Sequence, residues 1–224
     1  MKAMLLAAGH GERLRPLTDR VPKAMVEVGG KPLIAWHLER LAAAGCREAV
    51  INVSHLADKI VDAIGDGAHF GLRVGYSREP EPLETAGGIA TALPLLGDAP
   101  FLLVNADIYC EVPFGPLLTH RLGGMLAHLV LVPNPAHRPK GDFSLAGGRI
   151  GSAVSPRYTY AGVAVMSPQL LAPVKRGAKA PLAPLLYSAA AEERLSGEVF
   201  TGLWQDVGTA ERLAELAAQL ASRT

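Results

Sequence analysis

Cysteines, aromatic residues and net charge are all scarce in this sequence. Cys46 and Cys110 are the only thiols among 224 residues and show no Cys-x-x-Cys or Cys/His ligand spacing. Neither a disulfide framework nor a zinc site is therefore expected. Because 22 Lys and Arg balance 21 Asp and Glu, the net charge is only +1. Nucleic-acid binders need a sustained positive surface, so small ligands are the expected partners.

Long hydrophobic runs are also missing. The most continuous run, residues 126–132, is far shorter than the roughly 18 residues that a membrane span needs. The apolar residues at 3–8 are too few for a signal peptide, and Arg13 and Arg15 follow them closely. We therefore expect a cytoplasmic protein with no membrane association.

Apolar runs of strand length alternate with segments of helical length through the first part of the chain. The runs cover residues 3–7, 49–53, 72–76, 101–105 and 127–132. Their hydrophobicity is continuous, which indicates a sheet covered on both faces. Between them, Pro32 and Gly45 fit the start and stop of a helix. The sequence thus predicts an α/β fold with a doubly wound, mostly parallel central sheet.

The pattern changes after about residue 134. Residues 142–145, a Gly147-Gly148 turn and residues 149 onward predict a hairpin, and 158–166 a longer strand. Helices are predicted over 182–194 and again from Thr209, a candidate N-cap. This second part is therefore expected to be mixed and partly antiparallel, within a single domain.

A loop rich in glycine and basic residues follows the first strand. It reads LAAGHGERLRPLTDRVPK over residues 6–23. Gly9 and Gly11 allow backbone N–H groups to approach an anion closely, and Arg13 and Lys23 add positive charge. A dinucleotide fingerprint would need glycine in place of Arg13, and the Gly-Lys-Ser/Thr ending of a P-loop is absent. A phosphate ligand is indicated, with a solvated surface turn as the alternative.

This loop resembles the signature of the sugar-1-phosphate nucleotidyltransferases. Every fixed position of Leu-Ala-Ala-Gly-x-Gly-x-Arg-x-x-Pro-x-Thr-x-x-x-Pro-Lys is matched. The resemblance implies a Rossmann-like nucleotidyltransferase fold in which the loop surrounds a nucleoside triphosphate. It implies catalytic roles for Arg13, Lys23 and Asp107. The nucleotide-binding residues that it implies near the loop and the central strand are Leu6, Ala8, Gly9, Gly11, Glu12, Arg13, Lys23 and Asn105.

A second glycine-containing segment, Glu84-Thr85-Ala86-Gly87-Gly88, precedes a helical stretch at 89–96. The resemblance implies that Thr85, Gly87 and Gly88 border the nucleobase and ribose. The alternative is a plain helix start in which Thr85 is the N-cap.

Two aspartates are the candidate metal ligands. Asp107 follows an apolar strand, and Asp206 precedes the last helix. Two carboxylates can hold Mg²⁺, which otherwise prefers water and phosphate oxygens. The resemblance implies the same pair, through the motifs Asn-x-Asp and Trp-x-Asp-x-Gly-Thr. Many relatives have glycine where this chain has Ala106, and the alanine would be strained if that position needed a positive φ.

The second half carries the candidate sugar-binding residues. Asp142 can accept two hydroxyl groups, and Gly162 would allow a sugar ring to lie against the backbone. His137, Arg138 and Lys140 form a basic loop that is either simply solvated or binds an additional anion. Within the family, the chain most resembles uridylyltransferases that use N-acetylmuramate 1-phosphate in cell-wall recycling. The likeness rests on residues 81–85, Asn-Pro-x-His and Gly-Asp-Phe, and Lys140 is our candidate partner for the lactyl carboxylate.

The implied reaction is Mg²⁺-dependent transfer of a uridylyl group from UTP to this sugar 1-phosphate. It needs no Ser/His/Asp or Cys/His nucleophile, and none is evident. The alternatives are a mannose-1-phosphate guanylyltransferase, another hexose-1-phosphate nucleotidyltransferase, or a non-catalytic sensor of nucleotide sugars. We expect a nucleotide-binding half at about 1–110, a sugar-binding half at about 111–224, and no further domain. A monomer is compatible with the sequence.

Overall fold

The computed structural model describes residues 1–151 and 156–223. Its strands are β1 (Ala3–Leu6), β2 (Glu27–Val28), β3 (Lys31–Pro32), β4 (Glu48–Val53), β5 (Arg73–Arg78), β6 (Phe101–Asn105), β7 (Ile108–Cys110), β8 (Ala127–Val132), β9 (Phe143–Ala146), β10 (Arg149–Gly151), β11 (Arg157–Met166), β12 (Leu195–Val199) and β13 (Trp204–Asp206). Its helices are α1 (Leu33–Ala43), α2 (Ala57–Ile64), α3 (Glu84–Leu96), α4 (Phe114–Thr119), α5 (Ala183–Ala191) and α6 (Ala210–Ala221).

One nine-stranded sheet runs through the molecule in the order β5-β4-β1-β6-β11-β8-β12-β10-β9. The first four strands are parallel, with Ala3 of β1 beside Ala49 and Leu102 of its neighbours. From β6 onward the sheet is mixed, because β11 is antiparallel to β6 and β8, whereas β12 is parallel to β8. The α/β prediction, with a parallel first half and a mixed second half, is confirmed.

Helices cover both faces of the sheet. Side chains of α1, α2 and α4 pack against one face, and those of α3 and α5 against the other. Strands β1, β4, β6 and β8 are almost fully buried, which explains their continuous rather than alternating hydrophobicity. A smaller cluster packs α6 beside β2 and α1, around the fully buried Leu216. None of the helices in the described ranges is long and apolar enough to cross a membrane.

Most element ends follow the predicted signals. Helix α1 begins one residue after Pro32, and Gly45, with φ +89°, lies just beyond its end. Thr209 is the N-cap of α6, as predicted, because its side chain accepts from the backbone N–H of Arg212. The predicted hairpin is β9 and β10, joined through Gly147 and Gly148. Helix α5 is shorter than predicted, since Glu193 takes a positive φ and β12 begins at Leu195.

Candidate active site

The candidate site lies at the carboxyl ends of the parallel strands, where open α/β sheets bind ligands. Here β1, β4, β5 and β6 end side by side, and segments from all four strand ends contribute to one cavity of about 200 Å³. The cavity is lined by Leu6, Ala7, Ala8, Gly9, Lys23, Ala24, Asn52, Glu79, Pro82, Glu84, Thr85, Asn105 and Asp107. Residues far apart in sequence thus meet at one edge of the sheet.

The glycine-rich loop lines a second, adjoining cavity. That cavity is bordered by Gly9, His10, Gly11, Glu12, Arg13, Lys23, Asp107 and Gly208. Gly11 has φ +67°, and a Cβ there would lie 2.8 Å from Thr18 Cγ2, so this glycine is required by the fold of the loop itself. At Gly9 a Cβ would meet nothing within 4 Å. Close approach of a ligand to the backbone is therefore open at Gly9.

Lys23 and Asp107 lie where the two cavities meet. Lys23 Nζ donates to Asp107 Oδ2 at 2.5 Å, and the lysine side chain is only 12% exposed against 38% for the aspartate. A mostly buried cation and a more accessible carboxylate thus face both cavities. This pair can receive an anion on one side and a cation on the other.

Asp206 reaches the same region through a small two-stranded sheet. Strand β13 pairs with β7, and the backbone N–H of Val207 donates to the carbonyl of Asp107 at 3.0 Å. The Asp206 carboxylate accepts from Arg212 Nη1 at 2.6 and 2.7 Å and lies 3.1 Å from His137 Nε2. The pairing of β7 with β13 thus brings the backbones of Asp107 and Asp206 together from distant parts of the sequence, although Asp206 itself lines neither cavity.

Two carboxylates fit an Mg²⁺ ion, which usually takes one or two carboxylates and keeps several waters. No group of three or more His, Cys, Asp or Glu suited to a metal occurs in the described part of the chain. Each of the two carboxylates is instead neutralised by a cation of the protein, Lys23 or Arg212. The two carboxylates suit a hard cation whose remaining coordination positions are filled by phosphate oxygens and water.

Ala106 is not strained. The non-glycine residues with positive φ in the described ranges are Leu56, Glu84 and Glu193. Ala106 is fully buried, and its N–H donates to the carbonyl of Leu6 at 3.1 Å. The replacement of glycine by alanine therefore leaves the geometry around Asn105 and Asp107 intact.

A buried polar network supports the first cavity, and sequence reasoning missed it. Asn52 Oδ1 accepts from the N–H of Ala7 at 2.9 Å, and Asn52 Nδ2 donates to Glu79 Oε1 at 2.7 Å. Glu79 Oε2 accepts from the N–H of Leu83 at 2.9 Å. The only signal in the sequence is a polar residue near the carboxyl end of each of two apolar strands. This network ties β1, β4 and the start of α3 together.

Gly87 and Gly88 are buried and line neither of the two cavities. A Cβ at Gly88 would lie 2.6 Å from Glu79 Oε1, and at Gly87 the carbonyl of Ala178 fills the corresponding space. These glycines thus make room for neighbouring protein atoms. Their predicted role in close ligand approach gains no support from the structure.

Thr85 lines the first cavity and is not an N-cap, because α3 begins at Glu84 and no side chain caps it. Glu84 itself has φ +58°, an unusual conformation for a residue with a side chain. Its exposed carboxylate borders both this cavity and a neighbouring one. The plain helix-start interpretation of Thr85 is therefore wrong, and Glu84 joins the candidate residues.

The predicted sugar-binding residues of the second half line neither cavity. Asp142 Oδ2 accepts from the N–H of Tyr160 at 2.8 Å and lies 3.5 Å from Arg138 Nη1. Gly162, with φ +76°, lies at an irregularity of β11, and a Cβ there would be 2.7 Å from Asn105 Nδ2. Its missing side chain leaves space for Asn105, which differs from the predicted contact with a sugar ring.

The basic loop separates into paired and unpaired groups. His137 is bound to Arg212, and Arg138 to Asp142. Lys140 is exposed and, within the described ranges, its side chain has no hydrogen bond or ion pair. Arg212 and His137 are site residues that sequence reasoning did not select, although Arg212 stands three residues after the Thr209 N-cap and His137 within a loop already noted as basic.

The sequence of this chain is similar to those of known nucleotidyl transferases. The nucleotidyl transferase family model matches residues 2–140. The chain is 48% identical, over 97% of both sequences, to the N-acetylmuramate alpha-1-phosphate uridylyltransferase of Neisseria meningitidis serogroup B. It is 31% identical to the catalytic subunit beta of mannose-1-phosphate guanylyltransferase of Danio rerio, covering 93% of this chain and 61% of that protein.

Solved structures share the fold. A Bacillus anthracis protein crystallised with sucrose has a TM-score of 0.87 at 18% identity, covering 98% of this chain and 95% of its own. HddC of Yersinia pseudotuberculosis, solved with GMP-PN, has a TM-score of 0.78 at 21% identity, covering 97% and 98%. The sequence matches, together with the glycine-rich loop at the sheet edge, show that the chain belongs to the nucleotidyl transferase family.

Proposed function

We propose that this protein is a metal-dependent uridylyltransferase that converts UTP and N-acetylmuramate 1-phosphate to UDP-N-acetylmuramate and pyrophosphate. The observation that carries the proposal is the 48% identity, over 97% of both chains, to a protein named for this activity. The two adjoining cavities at the sheet edge have room for the two ends of a nucleotide. We assign the reaction to the cytoplasm and to a single domain comprising both halves of the sheet.

The triphosphate is proposed to bind in the cavity formed by the glycine-rich loop. Arg13 and Lys23 border it and supply the positive charge that phosphate oxygens require. Gly9 leaves its backbone open to the ligand. The nucleoside would then occupy the first cavity, which shares Gly9, Lys23 and Asp107 with the second. Thr85 and Asn105 border that nucleoside space.

Asp107 and Asp206 are proposed to hold a divalent cation, with Mg²⁺ as our choice. When bound, the ion would offset negative charge on the phosphates between which the bond is broken. Asp107 directly precedes β7, Asp206 is the last residue of the neighbouring strand β13, and Asp107 borders the cavity of the glycine-rich loop. Each carries a negative charge that a protein cation balances in the structure described here.

The chemical step needs positioning more than proton transfer. An oxygen of the sugar phosphate, already anionic at neutral pH, attacks the α-phosphorus, and the bond from that phosphorus to the pyrophosphate oxygen breaks. Lys23 lies between the cavities and can neutralise charge that develops on the transferred phosphate, while Arg13 holds the departing pyrophosphate. No protein nucleophile takes part in this scheme.

Lys140 is our proposed partner for the lactyl carboxylate of the sugar. Among the described residues Lys140 has no side-chain partner, whereas Arg138 contacts Asp142 and His137 contacts Arg212. Asp142 and Gly162 stay predicted sugar contacts. In the structure, Asp142 accepts a hydrogen bond from the N–H of Tyr160, and Gly162 lies against Asn105. Replacing Lys140 with alanine should raise the KM for N-acetylmuramate 1-phosphate and leave that for UTP unchanged.

A panel of triphosphates and sugar phosphates tests the proposal. Purified protein is incubated with Mg²⁺ and each pair, and released pyrophosphate is measured. We expect turnover with UTP and N-acetylmuramate 1-phosphate. Turnover confined to GTP and mannose 1-phosphate would favour the guanylyltransferase alternative, which is supported by relatives at 30–31% identity. Binding without turnover of any pair would favour a nucleotide-sugar sensor.

A further inference from the structure

Arg212 is held tightly against the carboxylate of Asp206. Its Nη1 donates to both carboxylate oxygens, at 2.7 and 2.6 Å, and its side chain is only 13% exposed. His137 Nε2 accepts from the same Nη1 at 2.8 Å. The backbone of Arg212 is also fixed, since its N–H bonds to the Thr209 cap and its carbonyl accepts from Gln205 Nε2 at 2.8 Å. The guanidinium is therefore a built part of the site.

This pairing leaves a positive charge where a divalent cation would bind. A guanidinium stays protonated at any physiological pH, so it cannot give up its charge in place. A cation that coordinates Asp206 must therefore break the bonds between Arg212 and the carboxylate. Burial limits water screening of the repulsion between the two positive charges.

The released guanidinium has a destination beside it. Both Arg212 and Arg13 place a terminal nitrogen within 3.0 Å of the point where a Cβ of Gly208 would lie. Gly208 borders the phosphate cavity, together with Arg13, Lys23 and Asp107. A side chain at position 208 would block this approach. The guanidinium of Arg212 thus lies next to this cavity, and its planar fork is well suited to phosphate oxygens.

We propose that Arg212 is a built-in counter-ion of Asp206, which a divalent cation displaces and which then binds the pyrophosphate portion of the nucleotide beside Arg13. In the absence of metal, Arg212 keeps Asp206 ordered and neutralised. With metal bound, the same guanidinium adds a third cation to Arg13 and Lys23 around the phosphates. Metal and triphosphate binding are thereby coupled through one side chain. The inference rests on the proposed metal-dependent nucleotidyl transfer.

The first test measures Mn²⁺ binding to protein free of nucleotide and sugar, by electron paramagnetic resonance. Arg212→Ala should bind Mn²⁺ about tenfold more tightly than the natural protein, because a charge-assisted pair no longer has to be broken. Arg212→Lys, which keeps the positive charge, should stay close to the natural protein. A purely structural role for Arg212 would instead weaken Mn²⁺ binding. Unchanged or weaker binding by Arg212→Ala would overturn the proposal.

The second test measures pyrophosphate binding in the presence of Mg²⁺, by calorimetry. Arg212→Ala should lose about tenfold in affinity, since one charge-assisted contact to phosphate is removed. Unchanged affinity would overturn the second half of the proposal. Arg223→Ala is the matched control, because that guanidinium bonds Glu111 near the other end of α6 at 2.6 Å. It should change neither measurement.

A substitute variant and the omission of UTP and sugar phosphate keep these tests decisive. If Arg212→Ala is unstable in a thermal melt, Arg212→Gln keeps a hydrogen-bond donor without the charge and should give the same two shifts. Neither measurement includes UTP or a sugar phosphate. Failure here would therefore remove the counter-ion role without touching the substrate panel, and a failed panel would leave these binding results standing.

Discussion

The two halves of the sheet contribute to the site in different ways. In the first half, four parallel strands end at one edge, and a single continuous loop, residues 6–23, forms most of the second cavity. In the second half the strands are mixed, and the site residues arrive singly, from β13, α6 and the loop after β8. The first half thus builds a cavity by local sequence. The second half adds charges to it through tertiary contacts.

Each half of the sheet balances the charge of its own site carboxylate. Asp107 is neutralised within the first half by Lys23, whereas Asp206 is neutralised within the second half by Arg212. The backbones of Asp107 and Asp206 lie close together because β7 pairs with β13. Equivalent substitutions in the two halves should show whether these contributions are independent.

Replacing either metal-site carboxylate should abolish most of the activity. Asp107→Asn and Asp206→Asn each remove one charge of the same proposed cation site, and each should lower kcat about 100- to 1000-fold, several kcal/mol of transition-state stabilisation. Steady-state pyrophosphate release measures the loss. Glu111→Gln, an acidic residue bonded to Arg223 close to β7, is the control and should be fully active. A near-normal rate in either aspartate variant would remove that residue from the metal site.

Each half also contains a buried histidine that should destabilise the protein in acid. Burial lowers the pKa of His37 to about 4, against an opposing hydrogen bond to the Ile108 carbonyl. Burial and the neighbouring His120 lower the pKa of His128 to about 4. The unfolded chain takes up these protons near the ordinary pKa of 6.5. The stability that each provides is therefore complete above that pH and is lost as the pH falls toward 4.

For each histidine the loss should be about 3 kcal/mol in the free energy of unfolding. Urea unfolding at a series of pH values measures it. His37→Gln and His128→Gln should each remove about half of the combined fall, so that the two halves behave alike. A fall that is unchanged in His128→Gln would show that only the first half is sensitive to acid.

Lys23 should matter for the nucleotide more than for the fold. Lys23→Met keeps the length of the side chain but removes the charge that faces both cavities. We expect kcat/KM for UTP to fall about 10- to 100-fold, corresponding to the loss of a charge-assisted hydrogen bond. Lys59→Ala is the control, since that lysine donates to the carbonyl of Arg20 on the surface. Unchanged kinetics in Lys23→Met would argue against triphosphate binding by the loop.

The smallest effect concerns two glutamates with positive φ, one in each half. Glu84 has φ +58° and Glu193 has φ +55°. Glycine relieves the strain but costs conformational entropy, so each replacement should stabilise the protein by only about 0.5 kcal/mol in urea unfolding. Only Glu84 lines the first cavity. Glu84→Gly alone should therefore raise the KM for UTP, about fivefold for one lost hydrogen bond. Equal kinetics in both variants would exclude Glu84 from the nucleotide site.

Much of the fold could be predicted because its signals are local. The five apolar runs correspond to β1, β4, β5, β6 and β8, and the Gly147-Gly148 turn joins β9 to β10. Helix α5 was predicted too long, because a helical pattern of apolar residues does not reveal where a positive φ at Glu193 ends it. The short strands β7 and β13 carry no such pattern, so their pairing was not predicted.

The candidate site was only partly predictable, for a related reason. Glycine-rich loop residues and Asp107 could be selected because they are adjacent in sequence or follow a recognisable strand. Glu79 and Asn52 could not be selected, because they support the site through a buried hydrogen bond that joins two different strands. The sequence predicts ligand approach at Gly87, Gly88 and Gly162, and the structure places Ala178, Glu79 and Asn105 next to the space left by their missing side chains. A glycine shows that space is needed and does not show what fills it.

The α/β class, the family and the glycine-rich loop could be predicted from the sequence alone, because strand hydrophobicity and the loop motif are properties of contiguous residues. The scarcity of cysteine and of net charge favours a small-molecule ligand over a disulfide framework, a zinc site or a nucleic acid, as an expectation from composition. Only the tertiary structure decided how the charges are paired. Lys23 forms an ion pair with Asp107, and Arg212 forms one with Asp206, which the net charge of +1 does not reveal. Such pairs depend on strands and helices meeting in space, and spacing along the chain does not encode that meeting.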